Sequence, residues 1–267
     1  MLVLCVGNSL AAAELINVDF KLLVQPVHVP LTDPQCLPTE DCWNLSTGVQ
    51  RTDTPPRDEN PGYLVTAFAL RLSRTASLSS HWPDAASNAW WRRTCASVFF
   101  EFGLVGGNSE DHETHLDGSA WNTGVDFGTV VLGGATPERP VLTWLYGGGL
   151  GANILTAYEP LPHAYLFNKF IWIETGWQAR LTPLSFLHID PYAMVRGGLI
   201  QIELNHGLFS ETLRATHGWF LVYGGVAMQW SWDPEQPQNG LALDLSAGIA
   251  NSPRSVLSAA LQLRWAA

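Results

Sequence analysis

The stretch that decides the fold is FNKFIWIETGWQARLT, residues 167–182. Phe167, Ile171, Ile173, Trp177 and Leu181 fall on one side of a period-two pattern. Asn168, Glu174, Gly176, Gln178, Arg180 and Thr182 fall on the other. Successive side chains of a β-strand point to opposite faces, so this segment predicts a strand with one oily face. The second face carries glycine, amides and isolated charges. Lys169 is the main exception on the oily face and lies near the strand end.

The same period recurs along the chain. It appears at 16–25, 63–72, 97–105, 124–132, 141–154, 187–204, 218–231, 241–249 and 257–265, which with 167–182 makes about ten strands. Within 187–204 the parity of apolar residues slips at Gly197-Gly198, which predicts a β-bulge there and places Ile200 and Ile202 on the oily face. Residues 141–158 carry no charge, but Gly147, Gly148, Gly149 and Gly151 together with the alternation favour a strand over a membrane helix. Short turns are predicted at 133–137, 182–185 and 251–254, and long loops at 26–61, 74–94, 107–121 and 205–215.

Alternation alone fits a soluble β-sandwich as well as a membrane barrel. The polar face separates them. A soluble sheet fills that face with large solvated groups, whereas here it is mostly Gly, Ala, Ser and Thr. Its isolated acids, Asp19, Glu101, Asp126, Glu174 and Asp244, nearly balance Lys21, Arg71, Arg180 and Arg264. A near-neutral face of small residues suits the crowded interior of a narrow closed barrel, where ions must pair. Strands of roughly ten residues also match the length needed to cross a bilayer at a tilt. The expected fold is therefore all-β: a closed antiparallel up-and-down transmembrane β-barrel of about ten strands, with eight to twelve open. Tyr63, Phe167, Trp219, Trp230, Trp232 and Trp265 are the expected interfacial aromatics.

Composition agrees with a membrane setting. The 267 residues are 46% hydrophobic and only 14% charged, with 24 glycines and 12 tryptophans. The net charge of −10 argues against nucleic acid as a partner. Residues 1–13 read as the tail of a secretory signal peptide, with Ala11-Ala12-Ala13 as the cleavage signal. Residues 14–61 read as a first strand plus a long Pro- and Asp-rich loop, and 62–267 as one barrel domain. Cys36 and Cys42 flank a proline-containing loop and could form a local disulfide in an oxidising compartment, or stay reduced.

The last strand is the most specific piece. Leu257, Ala259, Leu261, Leu263 and Trp265 resemble the C-terminal signal of bacterial outer-membrane β-barrel proteins. The resemblance covers 62–267 and is one of pattern rather than motif. It implies an outer-membrane location in a diderm bacterium, an even strand count and both termini in the periplasm. It also implies three partners: the lipid bilayer, lipopolysaccharide and the barrel-assembly machinery.

Two sets of residues stand out chemically. Glu101, Asp126, Glu174, Arg180, Arg196, Asp244 and Arg264 form an expected polar network in the lumen. Asp111, His112, His115 and Asp117 lie in the ligand-rich segment 110–117, where a divalent cation could bind; the competing reading is a solvated acidic loop. No other cofactor is indicated. His188 and Asp190 form an inward pair, read as an interior polar pair satisfied by Arg180 or Arg196 rather than as base and orienter. The expected function is a small barrel with a largely filled lumen and a structural or surface-interaction role, its outer loops meeting an extracellular ligand. The alternatives are a narrow channel for small solutes or ions, a membrane-embedded hydrolase and a soluble β-sandwich binder.

Overall fold

A computed structural model describes residues 42–54, 63–78, 90–109, 115–132, 141–158, 164–206, 212–233, 239–250 and 254–266. Ten strands form one closed antiparallel barrel in which each pairs with its chain neighbours and the first pairs with the last. They are β1 (Cys42–Thr54), β2 (Tyr63–Ser77), β3 (Thr94–Ser109), β4 (His115–Leu132) and β5 (Val141–Tyr158). The second half comprises β6 (Ala164–Leu184), β7 (Leu187–His206), β8 (Thr212–Ser231), β9 (Gly240–Ala250) and β10 (Arg254–Ala266). Among the described residues no helix is long and apolar enough to cross a membrane; a barrel crosses with strands instead.

The register fixes the cylinder. Partners step from Cys42 to Thr75, Ser97, Asp126, Gly147, Glu174, Arg196, Leu221, Ala250 and Arg254. Arg254 lies one step past the Asp53–Ser255 pair, level with Thr54, so one circuit of the wall climbs from residue 42 to residue 54 of β1. A stagger of that size on ten strands requires them to tilt by roughly 35–45° to the axis. Cys42 pairs with Ala266, so β1 begins and β10 finishes at one end, here called the base; the opposite end is the rim.

The distribution of side chains is inverted relative to a soluble protein. Ile173 is 74% exposed and Phe100 55%, whereas Arg196 is 3% and Glu101 2% exposed. Phe68, Leu104, Ile171 and Phe220 continue the outward apolar surface around the wall. Such a belt is costly to expose to water, whereas hydrocarbon covers it without cost. All ten strands have the length to span it, the shortest being β9 with 11 residues. Outward tryptophans collar the base: Trp43 pairs with Trp265, Trp144 pairs with Trp177, and Trp230 lies near the end of β8. Amphipathic rings of this kind settle at the headgroup level of a bilayer.

Four sequence expectations change. First, β1 is Cys42–Thr54, inside the stretch read as a loop, so the barrel takes in residues before 62; segment 16–25 lies outside the described residues. Only Trp43, Leu45 and Val49 supply an apolar face to β1, which left its alternation faint among turn-forming residues. Second, the described parts of 107–121 and 205–215 are strand rather than loop, because β3, β4, β7 and β8 continue past the apolar belt, where outward residues such as Asn108, His115, Asp117 and Arg214 are polar. Third, pairing runs unbroken through Gly197 and Gly198 on both sides, with no bulge, and Ile200 points inward and is fully buried. The lumen near the rim is itself apolar, so a change of polarity there is not a change of direction. Fourth, Trp219 is an interior residue, not a girdle aromatic.

Candidate functional site

The inward residues sort into three layers from base to rim. At the base a hydrogen-bonded belt runs from β6 to β2. Arg180 grips Asp190 with Nε at 3.0 Å and Nη2 at 2.8 Å, a two-pronged pair that suits the planar guanidinium. Gln229 donates Nε2 to Asp190 Oδ2 at 2.6 Å and accepts from Arg264 Nη1 at 2.7 Å. Arg264 also donates Nε to Asn44 Oδ1 at 3.2 Å, and the Asn44 amide donates to Ser73 and Thr75 at 3.2 Å each. The belt therefore ties the closing seam between β10 and β1 to both flanks. His188 Nδ1 lies 3.1 Å from Thr182 Oγ1, while Asp190 is engaged by Arg180 and Gln229.

The middle layer crosses the lumen. Arg71 donates Nη2 to Asp126 Oδ2 at 2.7 Å and lies 3.9 Å over the Phe99 ring. Phe99 stacks on Trp172 at 6.0 Å, and Arg196 covers the other ring of that pair at 4.4 Å. Arg196 in turn donates Nε and Nη2 to Glu174 Oε2 at 3.0 and 2.8 Å, and Tyr223 donates its hydroxyl to the same oxygen at 3.0 Å. The sequence Asp126, Arg71, Phe99, Trp172, Arg196, Glu174 is thus one continuous bar from β4 to β6. A guanidinium on each outer face of the ring pair lets cation–π attraction add to the ion pairs in a buried interior. Beside it Tyr192 donates to Asp244 Oδ1 at 2.9 Å and meets the Tyr223 ring edge-on.

Glycines make room for this filling. A Cβ on Gly149 would come within 2.8 Å of Trp172 Cζ2, and one on Gly147 would run into Asp126 Oδ1. The small residues of the inner face are thus roofs for large neighbours rather than empty space. Toward the rim the third layer is apolar: Val65, Val105, Leu155, Phe170, Ile200 and Trp219 are all buried.

Every member of the expected lumen set faces inward and is buried. Arg180, Arg196, Glu174, Asp126, Asp244 and Arg264 have the partners given above. Glu101 pairs in register with Arg71 and Asn122, and its Oε1 has no partner among the described residues. Sequence reasoning missed the binding role of Asn44, Gln229 and the Phe99–Trp172 stack. The signal was available for Phe99 and Gln229, since both fall on the small-residue face. In the other set Asp111 and His112 lie outside the described residues. His115 and Asp117 are exposed at the rim, with His115 Nε2 3.1 Å from Asp117 Oδ2 and Nδ1 2.6 Å from Asn108 Oδ1. Among the described residues no three metal-ligating side chains converge. Cys42 is buried at the base, and Cys36, its expected partner, lies outside the described residues.

No protein-family model matches the chain, and no curated protein matches it. Solved structures do. The outer membrane protease OmpT from Escherichia coli aligns with a TM-score of 0.52 at 8% identity, covering 86% of this chain and 98% of that one. The transport unit of the autotransporter AIDA-I from Escherichia coli aligns with a TM-score of 0.50 at 8% identity, covering 90% and 93%. The protein has the fold of a bacterial outer-membrane β-barrel. With the apolar belt and the tryptophan collar, that fold locates the chain in the outer membrane. Barrels of this kind include a protease and an autotransporter transport unit, so the shared fold leaves the activity to be argued from the site.

Proposed function

We propose that this outer-membrane barrel is sealed along its axis and acts at its surface, as a structural or surface-interaction protein rather than a pore. The observation that carries the reading is the bar from Asp126 through Phe99 and Trp172 to Glu174, which spans the lumen beneath the apolar layer of Phe170, Ile200 and Trp219. An ion passing this route would have to leave its water and displace two paired guanidiniums, which at such burial costs several kcal/mol. Among the described residues, the surface offered outward at the end opposite the base is the rim of the strands and the upper wall. The partners that fit are the lipopolysaccharide leaflet around the rim and an extracellular ligand above it.

A narrow channel is the second reading. It is favoured by buried polar atoms with no partner among the described residues, including Ser46 Oγ, Ser97 Oγ, Asn122 Oδ1 and both amide atoms of Gln178. A file of water would satisfy them. Planar-bilayer recording decides between the two. The sealed barrel gives no discrete current steps, and the F99A/W172A variant, which removes the ring pair at the centre of the bar, begins to conduct; steps from the wild-type chain would overturn the proposal.

A further inference from the structure

On the outer wall near the rim, two adjacent rows of register partners face outward: Phe167, Glu203 and Arg214, then Lys169, Gln201 and Thr216. Glu203 Oε1 receives both Lys169 Nζ and Arg214 Nε at 3.5 Å. The carboxylate is half-buried and the two cations stand out on either side of it, so the cluster carries a net single positive charge. At 3.5 Å neither cation is saturated, and each retains N–H groups for a further acceptor. Lys169 also lies 5.0 Å from the Phe167 ring.

The next row toward the base is Ile171, Leu199 and Gly218, and the one after it contains Ile173 and Phe220. These large side chains belong to the apolar belt. A Cβ on Gly218 would meet nothing within 4 Å, so the wall presents bare backbone at that position under Thr216. Cations stand directly above hydrocarbon-facing residues, therefore, with the side-chain-free Gly218 among them. That is the order of groups in an amphiphile with a phosphate at its head and acyl chains below.

We infer that Lys169 and Arg214, drawn together by Glu203, bind a lipid A phosphate of lipopolysaccharide, with an acyl chain lying over Gly218 between Ile171, Leu199 and Phe220. The inference rests on the outer-membrane placement with the rim in the outer leaflet. Glu203 is a positioning residue: it fixes two long side chains that would otherwise lose rotamer freedom on binding.

The test titrates the detergent-purified full chain with bisphosphoryl lipid A, with its dephosphorylated form and with phosphatidylglycerol, read by native mass spectrometry. Wild type binds bisphosphoryl lipid A in preference to the other two. K169Q/R214Q loses about tenfold or more in that affinity, the scale expected for two cations removed at a lipid surface. R74A, which removes an outward cation near the base, leaves affinity unchanged. Heat-modifiable gel mobility reports that each variant still forms a barrel. Equal affinity in wild type and K169Q/R214Q overturns the inference, as does an equal loss in R74A or equal binding of phosphatidylglycerol. Conductance is a separate readout: current steps sink the sealed-barrel reading and leave this site standing, whereas a silent barrel without phosphate preference sinks this site alone.

Discussion

Arg264 donates to Asn44 across the closing seam of the barrel, joining residues 220 positions apart in the chain at 3.2 Å. The backbone pairing of β1 with β10 closes the cylinder, but it needs side chains to hold its register where both strands are short. Arg264 also supports Gln229, so its removal strips a charge-assisted partner from two buried amides. R264A is expected to destabilise the barrel by about 3 kcal/mol, and S73A, which costs Asn44 one of two acceptors, by about 1 kcal/mol. Urea unfolding in lipid vesicles, followed by tryptophan fluorescence, measures both. Similar small effects would mean that the backbone ladder alone holds the seam.

Glu174 and Arg196 share two hydrogen bonds in a site where neither charge can reach bulk water. Breaking one partner strands the other, so R196M is expected to cost about 3–5 kcal/mol. The double variant E174Q/R196M leaves no charge unpaired and is expected to be more stable than R196M alone. The same unfolding assay applied to the four proteins of this cycle gives the coupling. Additive effects would show that the pair contributes no more than its packing.

Glycine at 149 is set by its neighbour. A side chain there meets Trp172 and the Thr123 carbonyl, whereas Gly218 faces open space. G149L is expected to destabilise by about 1–3 kcal/mol through overpacking. G218A is expected to stay within about 0.5 kcal/mol of wild type. The shift in the temperature of heat-modifiable migration compares them, and a G149L barrel as robust as wild type would mean that the Phe99–Trp172 stack can move aside.

Much of this was legible because a barrel wall in lipid is a repeated binary choice. Arg180, Glu174 and Gln178 could be assigned inward from parity alone, since Ile171, Ile173 and Trp177 had only one place to go. The failures share a cause. At Ile200 and Trp219 the interior is as oily as the exterior, so hydropathy no longer reports direction, and only the unbroken pairing through Gly197 and Gly198 does. At β1 the reverse holds: Asn44, Ser46, Gly48 and Gln50 look like a loop because an inward face needs no apolar residue. Partner choice inside the lumen was not legible either. Whether Arg71 bonds to Glu101 directly across from it or to Asp126 depends on the rotamer that Phe99 permits, and the pair formed is with Asp126.

The outward face makes a claim that depends on depth. Ile173 is 74% exposed yet lies well inside the span of β6, with Leu181 toward the base and Lys169 toward the rim. If hydrocarbon covers it, I173R places a guanidinium too deep to be solvated without deforming the bilayer, at an expected cost of about 2–4 kcal/mol. Trp232 is also well exposed but lies past the end of β8 at the base, where arginine can reach phosphate and water. W232R is expected to cost no more than about 1 kcal/mol. The contrast matters more than either value. In a soluble barrel two exposed positions would tolerate arginine equally, so equal stability of I173R and W232R in vesicles would remove the bilayer from the account.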